Sequence, residues 1–345
     1  MSRARVVDAL RRIHGAIPPA SGAVVMGTGI VSIGLSLDGR ETLSRILLVI
    51  DAIAWVALGL LLAGRALRDR ERVRREAHSP AALTGVAGTA VLGTRLTILG
   101  WSWAGIAPLA IALAFWLVLL APVLSHWSTP TVGVSLVLTV STESLAVLAA
   151  ALAASEHARW LLTAALAPFL LGLCFYVFVI SRFDLRQLAI GRGDHWITGG
   201  ALAISTLAAG RITLATKSLG ALAGAHATLR DAAVVLWALT MAWLPVLLAA
   251  ELLWPRLHYD VRRWSTVFPV GMYAACSFVV GSAADARGIT DFARVWVWVG
   301  VAVWLIVFAA MIRRGLQVAR GEPQPIHPVR GKPAPSSGHV VDAPP

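Results

Sequence analysis

Charged side chains that enter otherwise apolar stretches of this chain away from the starts of the segments are few: Asp51, Arg95, Glu143, Arg211 and Glu251. A charge inside a lipid-spanning segment is expensive, so such residues face the interior of a bundle and mark either a polar pathway or a buried pair. Arg95 and Arg211 sit toward the same end of their segments, where two cations would lend positive potential to a mouth and attract anions. Glu143 lies near mid-depth and opposes an anion unless it is protonated or paired. A salt bridge to an arginine on a neighbouring helix is its expected partner. Asp51 and Glu143 are also the two carboxyls able to relay protons. For each of these residues a purely structural ion pair, or a side chain snorkelling from a helix end, is the competing reading.

Hydroxyl groups in the same segments suit the partial dehydration of a small anion. Thr28, Ser32, Thr89, Thr139, Ser141, Ser205, Thr206 and Thr266 are the candidate lining. Neutral donors make shallow sites compatible with flux, whereas a ring of fixed charges would hold the ion too tightly. Other chemistry has little footing. The nine histidines (His14, His78, His126, His157, His195, His226, His258, His327 and His339) fall in loops, at helix ends or in the tail, so no metal site or cofactor is expected. No Ser/His/Asp constellation or HExxH motif appears, which argues against an enzyme, and no GxxxxGK[ST] motif supplies an ATP motor. Cys174 and Cys276 lie far apart within apolar spans and are expected to pack rather than to pair.

Ten apolar segments must position these groups, and they alternate in kind. Segments 20–36, 80–97, 131–148, 195–211 and 264–282 together hold 34 Gly, Ser and Thr residues, whereas 43–64, 103–124, 160–180, 231–254 and 291–312 hold 8. Small residues let helices approach closely inside a bundle, and bulky apolar ones face lipid. Short turns join each pair, so the expected fold is all-α: ten transmembrane helices as five hairpins, with the small-residue helix of each hairpin inside. Close helix packing alone is the competing explanation of the alternation. A hydrophobic content of 57% and a mean hydropathy of +0.74 place nearly the whole chain in a bilayer. The net charge of +12 comes mainly from Lys and Arg in alternate loops, which fits membrane orientation with both termini cytoplasmic rather than a nucleic-acid partner.

Residues 1–17 are read as a cytoplasmic N-terminus retained ahead of helix 1, since Ile17-Pro18-Pro19-Ala20 interrupts any signal-peptide pattern. Residues 18–312 form the transmembrane domain. Residues 313–345 form a cytoplasmic tail, Pro- and Ser-rich from about Gly321 and expected to be disordered. Prolines inside the segments (Pro108, Pro122, Pro168, Pro245 and Pro269) free backbone carbonyls and are able to kink their helices. Pro269 stands out: it lies beside Phe268 in the middle third of an inner segment, where a kink would expose carbonyls and aim an aromatic ring at the axis.

Met26-Gly27-Thr28-Gly29-Ile30-Val31-Ser32, Gly193-Asp194-His195-Trp196-Ile197 running into Gly199-Gly200-Ala201-Leu202-Ala203, and Trp264-Ser265-Thr266-Val267-Phe268-Pro269-Val270-Gly271-Met272-Tyr273-Ala274 resemble the tellurite-resistance/dicarboxylate transporter family. That family includes bacterial tellurite-resistance permeases, yeast malate and sulfite transporters and plant slow anion channels. The resemblance covers about residues 18–312. It implies five hairpins in pseudo-fivefold arrangement around a central pore lined by the odd helices, and a homotrimer. It also implies a pore-gating phenylalanine at Phe268, next to Pro269, with helix packing as the rival role because Phe-Pro recurs in the carrier branch. Long phosphorylatable termini like those of the plant channels are absent, so kinase gating is not expected.

The expected function is a plasma-membrane transporter or channel for small anions, such as C4-dicarboxylates, sulfite, tellurite or inorganic anions. The alternative is a membrane scaffold or sensor acting through its tail. Neither the particular anion nor the choice between channel and proton-coupled carrier follows from these residues.

Overall fold

The computed structural model describes residues 18–190, 193–255 and 259–320. The expected N-terminus 1–17, the segment 321–345 expected to be disordered, and His14, His258, His327 and His339 lie outside these residues. Ten apolar helices follow in order: α1 (Gly22–Leu37), α2 (Glu41–Arg68), α3 (Thr84–Ile98), α4 (Ser102–Ser125), α5 (Val137–Ser155), α6 (Arg159–Ile180), α7 (Ile197–Leu219), α8 (His226–Leu253), α9 (Trp264–Ala283) and α10 (Arg287–Arg320). Among the described residues nine helices are long and apolar enough to cross a membrane. The tenth, α1, has 16 residues and is entered through the short turn Pro19–Ser21. The chain is an all-α membrane protein. The last helix continues to Arg320, past position 313 where the tail was expected to begin, because Arg313–Arg320 extends the same helical run.

The alternation in composition becomes an alternation in burial. Across the most apolar window of each helix, between 78% and 100% of the residues are buried in α3, α5, α7 and α9, against 17–28% in the even helices. Lipid is as apolar as leucine, so bulk alone does not drive helices together. Close approach of small residues does. Glycines show the mechanism at the contacts. A methyl group on Gly200 of α7 would meet Pro269 Cγ at 2.6 Å, and one on Gly271 of α9 would meet Ile30 of α1 at 2.7 Å.

Contacts between the odd helices run in a closed cycle: α1 on α3, α3 on α5, α5 on α7, α7 on α9, and α9 back on α1. Each even helix packs on its hairpin partner and, more lightly, on the inner helix of the following hairpin. Five seams result, each a triangle of two inner helices and one outer helix. The prolines sit inside continuous helices. Pro269 lies in the second turn of α9 rather than its middle third, and its ring seats on Gly200.

Candidate functional site

The direction of each side chain follows from its neighbours and from the turn of about 100° per residue. On α9, Val267 meets Gly27 of α1 and Pro269 meets Gly200 of α7. On the opposite side of the helix, Tyr273 and Ser277 bond to the outer helix α8. Phe268 therefore projects between α1 and α7 into the centre of the ring, where it is 1% exposed. On α7, Thr206 bonds Thr240 of α8 at 2.9 Å. Five residues later, and about 140° further round the helix, Arg211 faces away from that outer helix toward the centre. Arg211 is half-buried, and its Nε and Nη2 have no hydrogen-bond partner among the described residues.

Arg95, expected to act alongside Arg211, does not share this position. Its side chain is fully buried in the α1–α2–α3 seam, where Nε donates to Ser44 Oγ at 2.9 Å and Nη2 pairs with Glu41 Oε1 at 2.7 Å. Glu41 neutralises it locally, so Arg95 contributes a structural ion pair. Among the described residues the expected salt bridge between Glu143 and an inner-helix arginine is also absent. Glu143 Oε1 accepts instead from Ser205 Oγ at 2.8 Å, while Oε2 is buried without a partner. The carboxyl fits only because α6 carries Gly172 opposite it, where a methyl group would lie 2.7 Å from Oε1. Asp51 occupies the corresponding kind of place near Gly29 and Val91, with neither oxygen hydrogen-bonded. Both carboxyls belong to seams.

Most of the hydroxyls expected to line a pathway turn outward as well. Thr28 accepts from Trp304 of α10, Thr89 from Trp55 of α2, Ser32 bonds Ser44 of α2, and Thr206 bonds Thr240 of α8. Ser205 is taken by Glu143, Thr266 by the Gly193 carbonyl, and Ser141 by its own helix at Leu138. Thr139 is buried without a partner. Two hydroxyls not singled out from the sequence point more nearly inward. Thr94 follows Gly93, which abuts α4 and α5, and precedes Arg95, which faces α2; Ser144 follows Glu143. Each bonds only a carbonyl of its own helix, to Ala90 and Val140 respectively. No sequence signal separates them from their neighbours, because the distinction is an angle about the helix axis.

The Gly193-Asp194-His195-Trp196 motif anchors helix ends. Gly193 adopts φ 111°, a conformation that L side chains rarely take, and its carbonyl accepts from Thr266. Glu251 of α8 accepts from Trp196 Nε1 at 3.2 Å and from Arg263 at 3.0 Å, tying the starts of α7 and α9 to the end of α8. Cys276 is buried, but Cys174 is exposed on the outer face of α6 and is not the packing residue expected. Among the described residues no group of His, Cys, Asp or Glu is placed to hold a metal.

An inward ring of small-residue helices with bulky helices outside defines an all-α membrane bundle. Residues 16–312 match the voltage-dependent anion channel (SLAC1) family, and the chain belongs to it. This is the group that the sequence motifs resemble. Two Mycobacterium tuberculosis proteins, from strains CDC 1551 and H37Rv, are each described as an uncharacterized membrane protein and are 34% identical over 130 residues. The match covers 34% of this chain and 62% of each relative.

Proposed function

We propose that the chain is an anion channel or carrier of the plasma membrane whose pathway runs through the centre of the odd-helix ring, with ten helices in pseudo-fivefold arrangement. The observation that carries this reading is Arg211: a cation facing the ring centre with two guanidinium nitrogens free of partners among the described residues. A buried donor left unbonded is costly. An anion entering the ring would supply the missing acceptor, and one cation flanked by neutral groups attracts without trapping. Phe268 narrows the same path and acts as its gate, seated by Pro269. Membership of the anion-channel family supports the substrate class. Dicarboxylate, sulfite, tellurite, nitrate and chloride are the anions to compare. The basic loops favour cytoplasmic termini, with residues 18–312 as the transmembrane unit, 313–345 as the tail and a homotrimer as the assembly. Asp51 and Glu143 would confer proton coupling only through movement of the seams, since neither faces the path.

The test is anion flux in proteoliposomes at a set potential, with and without a pH gradient, for the wild type, Arg211→Ala and Arg211→Lys. Flux that falls in the alanine variant and is retained by lysine supports the assignment. Equal flux in all three removes Arg211 from the pathway. Current carried by several anions without a pH gradient identifies a channel, and malate or sulfite flux that requires one identifies a proton-coupled carrier.

A further inference from the structure

The seams share a construction that the pathway does not explain. In four of the five, an indole on the outer helix of one hairpin donates to a hydroxyl on the inner helix of the next. Trp55 Nε1 reaches Thr89 at 2.9 Å, Trp116 reaches Thr142 at 2.9 Å, Trp237 reaches Ser277 at 2.8 Å and Trp304 reaches Thr28 at 3.0 Å. The remaining seam, α6 to α7, uses a tyrosine: Tyr176 donates to the Thr198 carbonyl at 3.3 Å and accepts from Trp243 at 3.0 Å. Other tryptophans on the even helices behave differently. Trp103 and Trp160 stand at helix starts, 76% and 73% exposed, as amphipathic rings do near a membrane surface.

An indole is a large rigid spacer with a single donor, and in an apolar setting that donor is held by whatever acceptor it finds. It therefore sets the separation of the two helices it joins. Four of the seams lie between hairpins that are consecutive in the chain. The seam between α10 and α1 joins its two ends, and Trp304 and Thr28 are 276 residues apart. Both helices there pack on α9, which carries Phe268. We propose that the indole–hydroxyl clasps set the width of the ring, and that Trp304–Thr28 is the closing clasp that positions Phe268. Trp304 is thus a positioning residue, and its effect on transport rests on the pathway proposed above.

The test uses the full-chain protein carrying Trp304→Phe, Thr28→Val, or both, with Trp298→Phe on the exposed face of α10 as control. Two quantities are read: the ratio of gluconate to chloride flux in proteoliposomes, and hydrogen exchange along α1 and α9. Each clasp variant is expected to raise the ratio about three- to tenfold, the scale of one net hydrogen bond. The double variant should do no more than either single one, and exchange in α1 and α9 should quicken while the control stays at the wild-type value. An unchanged ratio alongside a lowered melting temperature reduces the clasp to ordinary packing and overturns the proposal. If the wild type carries no anion the proposed pathway fails, and the exchange readout still decides the clasp: unaltered protection in α1 and α9 overturns it, and faster exchange supports it.

Discussion

Arg95 and Arg211 stand toward the same ends of two inner helices, yet they belong to different regions. Arg95 lies in a seam, completely buried, with Ser44 and Glu41 on its guanidinium. Arg211 lies at the ring centre with Nε and Nη2 unbonded. Their surroundings follow the same division. Seams concentrate hydrogen-bonding groups between helices, joining Ser32 to Ser44, Glu143 to Ser205 and Thr206 to Thr240. The centre holds Phe268, hydroxyls already bonded to their own helices, and one cation. Most polar groups in a seam have a particular protein partner, with Asp51, one oxygen of Glu143 and Arg95 Nη1 as exceptions. At the centre, Arg211 keeps two nitrogens without a partner among the described residues.

That contrast can be broken from either side. The largest effect is expected from Gly172→Leu, which drives a side chain into the space of Glu143 and should cost about 3 kcal/mol, read as a lowered melting temperature in detergent. Retained stability would mean that the α5–α6–α7 seam is loose. Arg95→Ala removes two charge-assisted hydrogen bonds, but Ser44 keeps Ser32 and Glu41 keeps Ser36 and Arg45, so the loss should be about 2 kcal/mol, with flux per folded molecule unchanged. Arg211→Ala should do the reverse, lowering flux about tenfold, or about 1.4 kcal/mol, while the melting temperature holds. Phe268→Ala should raise basal flux several-fold, and its cost in stability should fall below the ~3–5 kcal/mol of a phenylalanine deleted from a closed core; a full core-sized loss with no added flux would make it a packing residue. Thr94→Val and Ser144→Ala should move stability by no more than about 0.5 kcal/mol and change only the relative flux of different anions.

The fold was legible because it is written in composition. Small residues on the odd segments and bulky ones on the even segments had a single physical use, close approach inside and lipid contact outside, and burial follows that division. The candidate site was legible only in its residue types. Arg95 and Arg211 look alike in sequence, but Glu41, 54 positions away, claims one of them. Thr28 and Thr89 look like pore lining until Trp304 and Trp55 reach them. Thr94 and Ser144 were overlooked because nothing in their local sequence separates an inward hydroxyl from one turned 100° away.

The sequence by itself determined that this is an all-helical membrane protein of paired helices, and which helices lie inside, because hydrophobic length and residue size act locally and need no partner to be read. Only the tertiary structure decided which polar groups are spent on holding the helices together and which face the centre. That choice depends on angles about helix axes and on residues as much as 276 positions apart, where a single hydrogen bond turns a threonine from a pathway group into part of a seam.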